Sequence, residues 1–206
     1  MALLFRVFSR VVVEPLFRLR LGALVGNPVS GYLMVILTRG RISGRVRSAS
    51  VVYAIDRGAV YGMAGYGPST NWYRNAMAPV STLEAGGVDG PPARRAAVTL
   101  VMPSGTFHGT AHDVTDASER VRALRLVLKN AGLSAFTEGV NPWLAGDEEL
   151  LRKTAGKPVV RISVGYLRPG PGDPGGWAWL WLPVVLVAAA SVAIGVATRA
   201  RCRAGR

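Results

Sequence analysis

The stretch that decides the fold is L-M-V-I-L-T-R-G-R-I-S-G-R-V-R, residues 33–47, in which an apolar run leads directly into a basic turn. The run at 33–38 is continuous and apolar, which is typical of a strand that is buried on both faces. The turn at 39–47 holds four Arg and two Gly among nine residues, and a second strand-like run follows it. The sequence therefore predicts a basic hairpin supported by a buried sheet.

The basic hairpin has no acidic neighbours in the sequence, because no Asp or Glu lies between Glu14 and Asp56. Arginine side chains and the free backbone N–H groups of such a turn are donors that bind phosphate and carboxylate groups. The whole chain is also basic, since its 206 residues include 25 Lys and Arg against 12 Asp and Glu, a formal net charge of +13. This charge favours an anionic partner: a polyanionic cofactor, a nucleic acid or a lipid surface.

Two short motifs follow the hairpin: a loop of small residues, A-G-Y-G (64–67), and then W-Y-R-N (72–75). The basic hairpin, the Gly-containing loop and W-Y-R-N, in this order, resemble the deazaflavin-dependent nitroreductase family, whose members are split β-barrel proteins that use coenzyme F420. The resemblance extends in outline over residues 31–164 and is close over 38–47 and 72–75.

The resemblance implies a groove that binds the deazaflavin cofactor, coenzyme F420, with FMN ranked second. The arginines of the hairpin would bind the phosphate and acidic tail of the cofactor, and its Ser and Gly would add hydroxyl and backbone donors. The loop would let the backbone approach the flat ring, and the Trp would pack against the ring or brace the loop. The cofactor-binding residues implied are Arg41, Ser43, Gly44, Arg45, Arg47, Ala64, Gly65, Tyr66, Gly67, Trp72 and Asn75.

The predicted activity is hydride transfer from the reduced deazaflavin to a quinone, a nitro compound or a similar conjugated acceptor. No Ser/His/Asp, Cys/His or paired-carboxylate constellation is visible, as expected where a cofactor carries the chemistry, and no catalytic residue is assigned. A metal site is not predicted, because His108 and His112 lie in a strand-like stretch without Cys nearby. Many relatives carry a basic residue where Ile42 stands and an S-K-G-G-like loop in place of A-G-Y-G; Arg39 and Arg45 could compensate for the missing charges.

Two other functions compete with the reductase. The altered loop favours a non-catalytic split-barrel protein that binds a flavin, haem or lipid, or that scaffolds a partner at a membrane. The arginine hairpin favours a nucleic-acid binder, which we rank lower because there is no recognisable reading helix and few aromatic residues lie among the arginines. Nucleic acid is therefore not an expected partner, whereas a homodimer is possible because barrels of this class often pair.

The C-terminal part of the chain predicts a membrane anchor. Residues 177–198 are 22 uncharged, mostly apolar residues, and as a helix they would span roughly 30 Å, the thickness of a hydrocarbon core. Trp residues cluster at one end, and a basic tail (199–206) follows the other end. A basic tail is typical of the cytoplasmic side of a membrane, which would place the barrel domain outside the cell. The N-terminus does not resemble a secretory signal, because Arg6 and Arg10 interrupt its apolar run, so we expect a cytoplasmic domain.

The whole pattern predicts an α+β fold: an antiparallel, FMN-binding-like split β-barrel with flanking helices and a C-terminal transmembrane helix. An amphipathic helix (1–20) precedes the barrel domain (21–167), and a Pro/Gly linker (168–176) separates that domain from the anchor. Strands are predicted at 33–38, 48–55, 59–64, 80–85, 96–101, 106–112 and 158–164, and helices at 72–77, from a capping box at Asp116 to near Gly132, and at 147–155.

Overall fold

The computed structural model describes residues 11, 13–19, 21–22, 26–78 and 97–204. Most of the amphipathic helix predicted at 1–20 and the strand predicted at 80–85 lie outside the described residues. The final two residues of the basic tail also lie outside them.

Six antiparallel strands close into a barrel. Around the barrel their order is β1-β2-β3-β6-β5-β4, and every neighbouring pair is antiparallel, which confirms the predicted α+β barrel. Each of these strands lies within two residues of its predicted limits. The strands are β1 (Leu33–Arg39), β2 (Val46–Asp56), β3 (Ala59–Met63), β4 (Ala97–Met102), β5 (Gly105–Asp113) and β6 (Val159–Val164).

Side chains fill the inside of the barrel, and helices cover part of its outside. Met34 and Ile36 of β1 point inward, while Leu33 and Val35 point outward and pack against Phe17, so β1 is buried on both faces as predicted. The helices are α1 (Glu14–Arg18), α2 (Asn71–Ala76), α3 (Ala117–Lys129), α4 (Asp147–Lys153) and α5 (Trp181–Ala204), with 3-10 turns at Gly132–Glu138 and Ala178–Leu180.

Helix α3 begins at the predicted capping box. The Asp116 side chain accepts a hydrogen bond of 2.7 Å from the backbone N–H of Glu119, which satisfies one of the free donors at the start of the helix. Leu124 and Leu128 of α3 pack with Ala54 of β2 in a buried cluster on the outer face of the barrel. This helix therefore covers the side of the barrel that β2 and β3 form.

The two ends of the barrel are closed by different segments. We call the upper end the one where β1, β3 and β5 finish; α2 packs there, with Trp72 and Ala76 in the same buried cluster as the barrel interior. At the lower end, Asp173 is fully buried, and its carboxylate accepts hydrogen bonds from the Tyr53 hydroxyl at 2.5 Å and the Gly170 N–H at 2.6 Å. The segment 168–176, predicted as a linker, therefore packs into the barrel.

The C-terminal segment forms a helix, although its limits differ from the prediction. Helix α5 begins at Trp181 after a 3-10 turn, and it continues to Ala204, through most of the predicted basic tail. Within the part of the chain that the structure describes in full, no helix is long and apolar enough to cross a membrane. The transmembrane helix predicted at 177–198 is therefore not supported.

Candidate cofactor-binding site

The arginine hairpin is a tight turn between β1 and β2 at the upper end of the barrel. The Gly40 N–H donates to the Arg45 carbonyl at 2.9 Å, and the Gly44 N–H donates to the Gly40 carbonyl at 2.8 Å. Gly44 has a φ of +64°, in the left-handed region that glycine adopts without strain. The glycines of the motif thus shape the turn that presents the arginines.

The charged side chains of the hairpin are open to solvent. Arg41, Ser43, Arg45 and Arg47 are all exposed. Within the described part of the chain, none of these three arginines forms an ion pair. Guanidinium groups that are not neutralised by a carboxylate remain able to bind an anion, and their planar forks match phosphate and carboxylate oxygens.

Asn75 of α2 connects this hairpin to the end of the barrel. Its Oδ1 accepts hydrogen bonds from both the backbone N–H and the guanidinium of Arg41, each at 3.3 Å, and its Nδ2 donates to Thr38 Oγ1 at 3.4 Å. Asn75 is only 4% exposed and Thr38 only 2%. These hydrogen bonds orient Arg41. Contact of Asn75 itself with a cofactor stays a prediction.

The small-residue loop lies after β3, and its first residue is buried with Trp72. Ala64 is fully buried and Trp72 is 8% exposed, and both belong to the interior cluster, whereas Tyr66 is 60% exposed. Gly67 has a φ of +80°, and its N–H donates to the Ala64 carbonyl at 2.8 Å. Packing of Trp72 against a cofactor ring or against the loop stays a prediction.

The hairpin and the loop both lie at the upper end of the barrel, because β1 and β3 both finish there. Thr38 pairs with Arg47 and Gly62 pairs with Tyr53, and the loop begins two residues after Gly62, so about four residues of β2 separate the levels of the two motifs. At a rise of 3.2–3.4 Å per residue, this separation is about 13 Å along the strand. Helix α2 leads from the loop toward the hairpin, where its Asn75 bonds Arg41.

The structure also adds two residues that the sequence motifs did not indicate. The Lys157 ammonium donates a hydrogen bond to the Glu138 carboxylate, and Glu138 Oε1 lies 3.9 Å from where a Cβ on Gly65 would be. Burial lowers the pKa of Lys157. Glu138 and Lys157 are more than 70 positions from the loop in the sequence and belong to no motif, so only the fold brings them beside it.

The described cavities do not coincide with the predicted site. One, of about 810 Å³, lies on the outer face of the barrel between Phe17, Val35 and Ser104, and another, of about 310 Å³, lies beside His112 and Arg161. Neither is lined by a predicted cofactor-binding residue.

Comparison with known proteins gives matches of fold only. No protein-family model matches the chain, and no curated protein is significantly similar to it. Solved structures that resemble it include a putative 5-nitroimidazole antibiotic resistance protein from Bacteroides thetaiotaomicron (9% identity, TM-score 0.38, covering 72% of this chain and 80% of that one). Two others are an F420 reductase (14% identity, TM-score 0.37, covering 69% of this chain and 90% of that one) and an F420-H2 dependent reductase (19% identity, TM-score 0.36, covering 63% of this chain and 92% of that one).

The fold and the site define the chain as a split β-barrel protein with an exposed arginine hairpin. These similarities describe the fold, and the functional assignment rests on the residues of this chain.

Proposed function

We propose that this protein binds reduced coenzyme F420 along the upper part of the barrel and transfers hydride to a quinone, a nitro compound or a similar conjugated acceptor. The observation that carries the proposal is that the exposed Arg41, Arg45 and Arg47, which form no ion pair within the described residues, lie at the same end of the barrel as the small-residue loop. A ligand that joins an anionic tail to a flat ring can contact both. FMN ranks second because its single phosphate is on a short chain.

The residues of the hairpin fit the tail of this cofactor. Arg41, Arg45 and Arg47 would bind its phosphate and carboxylates, and the Ser43 hydroxyl would add a neutral donor. The Gly44 N–H, also expected to bind the cofactor, is instead used within the turn by the Gly40 carbonyl. For the ring of the cofactor, residues 64–67 have small side chains apart from Tyr66, so a flat ring can approach the backbone. When bound, the reduced deazaflavin supplies the hydride, and the protein positions it.

The experiment that tests this proposal is a titration of the full chain with coenzyme F420, followed by fluorescence. The Arg41→Ala/Arg47→Ala variant removes two charge-assisted contacts of about 1.5–3 kcal/mol each, so we expect binding at least 100-fold weaker. The Arg152→Ala/Arg168→Ala variant has the same change of charge at exposed sites elsewhere, and it should bind as the wild type does.

The outcomes separate the reductase from the competing functions. Tight binding that only the hairpin variant loses supports the proposal and justifies a screen of quinones and nitro compounds for oxidation of the bound cofactor. Binding of FMN or haem in place of F420 favours the non-catalytic alternative. Equal loss of affinity in both double variants would show a non-specific effect of charge and would refute the assigned groove.

We also propose that the acceptor is a lipophilic quinone and that α5 associates with lipid, with the barrel on the cytoplasmic side. The supporting observation is the exposure of large apolar side chains on α5, among them Val184 at 65%, Val185 at 51% and Val187 at 66%. Exposed apolar surface of this kind marks an interaction site. Vesicle flotation tests it: the Val185→Asp/Val187→Asp variant should lose flotation, and flotation equal to that of the wild type would refute it.

A further inference from the structure

A partly buried ion pair lies directly beside the small-residue loop at 64–67. Lys157 stands two residues before β6, and its ammonium donates to the carboxylate of Glu138, the last residue of a 3-10 turn. The two side chains are only 25% and 16% exposed. The second carboxylate oxygen, Glu138 Oε1, lies 3.9 Å from the position of a Cβ built on Gly65. The pair is therefore adjacent to the loop.

Backbone contacts fix Lys157 against the same loop. The Ala64 N–H donates to the Pro158 carbonyl at 2.9 Å, and a Cβ on Gly67 would lie 3.7 Å from the Gly156 carbonyl. From the other side, the Arg120 guanidinium donates to the Lys157 carbonyl at 2.9 Å. The segment that carries Lys157 thus runs alongside the loop, and α3 holds it in place.

The chemistry of this pair differs from that of an exposed salt bridge. An ammonium group has three donors, and in the described part of the chain Glu138 is the one side chain that Lys157 bonds. Burial lowers the pKa of Lys157, and the Glu138 carboxylate compensates a partly buried cation that would otherwise be unfavourable. The loop itself has no charged side chain, and Lys157 supplies a cation on the segment that runs beside the loop.

We propose that Lys157, held by Glu138, contacts the ring end of the ligand. Its ammonium donates a hydrogen bond to a carbonyl or anionic oxygen of a flat conjugated ligand that lies over residues 64–67. The inference rests on the proposed function and adds a specificity-determining residue beside the loop, separate from the arginine hairpin. The arginines hold the tail, and Lys157 selects a ring that carries an acceptor oxygen.

The direct test uses the full chain labelled with 13C at the lysine Cε atoms. The chain has three lysines, Lys129, Lys153 and Lys157, so each NMR signal can be assigned from one substitution. During a coenzyme F420 titration, we expect the Lys157 signal to shift with the dissociation constant that fluorescence gives, while the other two stay in place. Fluorescence-detected binding with an unmoved Lys157 signal overturns the inference. Absence of binding in both measurements refutes the proposed function and this inference with it.

Variants separate a ligand contact from a structural ion pair. Lys157→Met leaves a carboxylate unpaired, so Lys157→Met/Glu138→Gln, which removes both charges, is the informative variant. We expect it to remain folded and to bind F420 at least about tenfold more weakly, because it loses one charge-assisted hydrogen bond. Lys157→Arg should retain part of this affinity, and Lys153→Met, an exposed lysine on α4, should retain all of it. Unchanged F420 affinity in the double variant overturns the inference.

Discussion

Replacement of Asn75 by Ala should loosen the arginine hairpin from the end of the barrel. The substitution removes two hydrogen bonds from Arg41 and one to Thr38, all 3.3–3.4 Å long. Such long bonds contribute at the lower end of the usual range, about 0.5 kcal/mol for the neutral ones and about 1 kcal/mol for the charged one. The Thr38 hydroxyl, which is 2% exposed, would also lose its partner. We expect a total loss of about 2–3 kcal/mol in the free energy of unfolding.

Urea unfolding of the full chain measures this loss, and thermal unfolding should show a midpoint about 5–10 °C lower. Asn71→Ala is the matched control, because Asn71 is an exposed asparagine in the same helix. The F420 titration of the same two proteins should show about tenfold weaker binding for Asn75→Ala alone, since Arg41 is no longer oriented. A free energy of unfolding within about 0.5 kcal/mol of the wild type, the usual range for surface substitutions, would refute the reasoning about Asn75.

Three further predictions concern stability. Tyr53→Phe removes the fully buried hydroxyl that bonds a carboxylate, so it should lower the free energy of unfolding by about 1.5–3 kcal/mol. Tyr61→Phe should lower it by less, because the Tyr61 hydroxyl bonds a half-buried carboxylate. Equal losses of unfolding free energy in urea would contradict this prediction. Gly44→Ala should destabilise the chain by about 1 kcal/mol because its φ is +64° and an Ala methyl there gains no contact, whereas Gly165→Ala, which also has open space but no left-handed φ, should not. The Ser118 hydroxyl and the Glu119 N–H lower the pKa of Asp116. Its stabilising contribution is therefore present above pH 3.8 and is lost as the pH falls through the lowered pKa. The free energy of unfolding, measured against pH, should fall less steeply in acid for Asp116→Asn, and an unchanged profile would exclude this role.

The sequence predicts the elements of this fold that depend on local patterns. The continuous apolar run at 33–38 indicates a strand buried on both faces, and the capping box at Asp116 indicates the start of α3, because each signal acts over a few residues. The turn geometry of the hairpin also follows from its own glycines. These features were predictable because neighbouring residues alone determine them.

The contacts that define the site could not be read from the sequence in the same way. Asn75 bonds Arg41 across 34 positions, Lys157 bonds Glu138 across 19, and Tyr53 bonds Asp173 across 120. None of these pairs has a periodicity or a motif that links its two members. The Pro/Gly composition of 168–176 favours a flexible linker. The segment is nevertheless fixed to the barrel by the buried carboxylate of Asp173, because burying that charge without its hydrogen-bond partners would cost free energy.

The burial of Asp173 determines how far the C-terminal helix can move from the barrel. Three residues separate Asp173 from Trp177, which directly precedes the 3-10 turn that leads into α5, and even a fully extended chain spans at most about 14 Å over the four steps between them. A pulling force on α5 would therefore pass through the Asp173–Tyr53 hydrogen bond into the middle of the barrel wall before it reached the end of β6. The C-terminal helix is therefore attached to the lower end of the barrel by a short tether. Any shortened chain intended to preserve the barrel should retain Asp173.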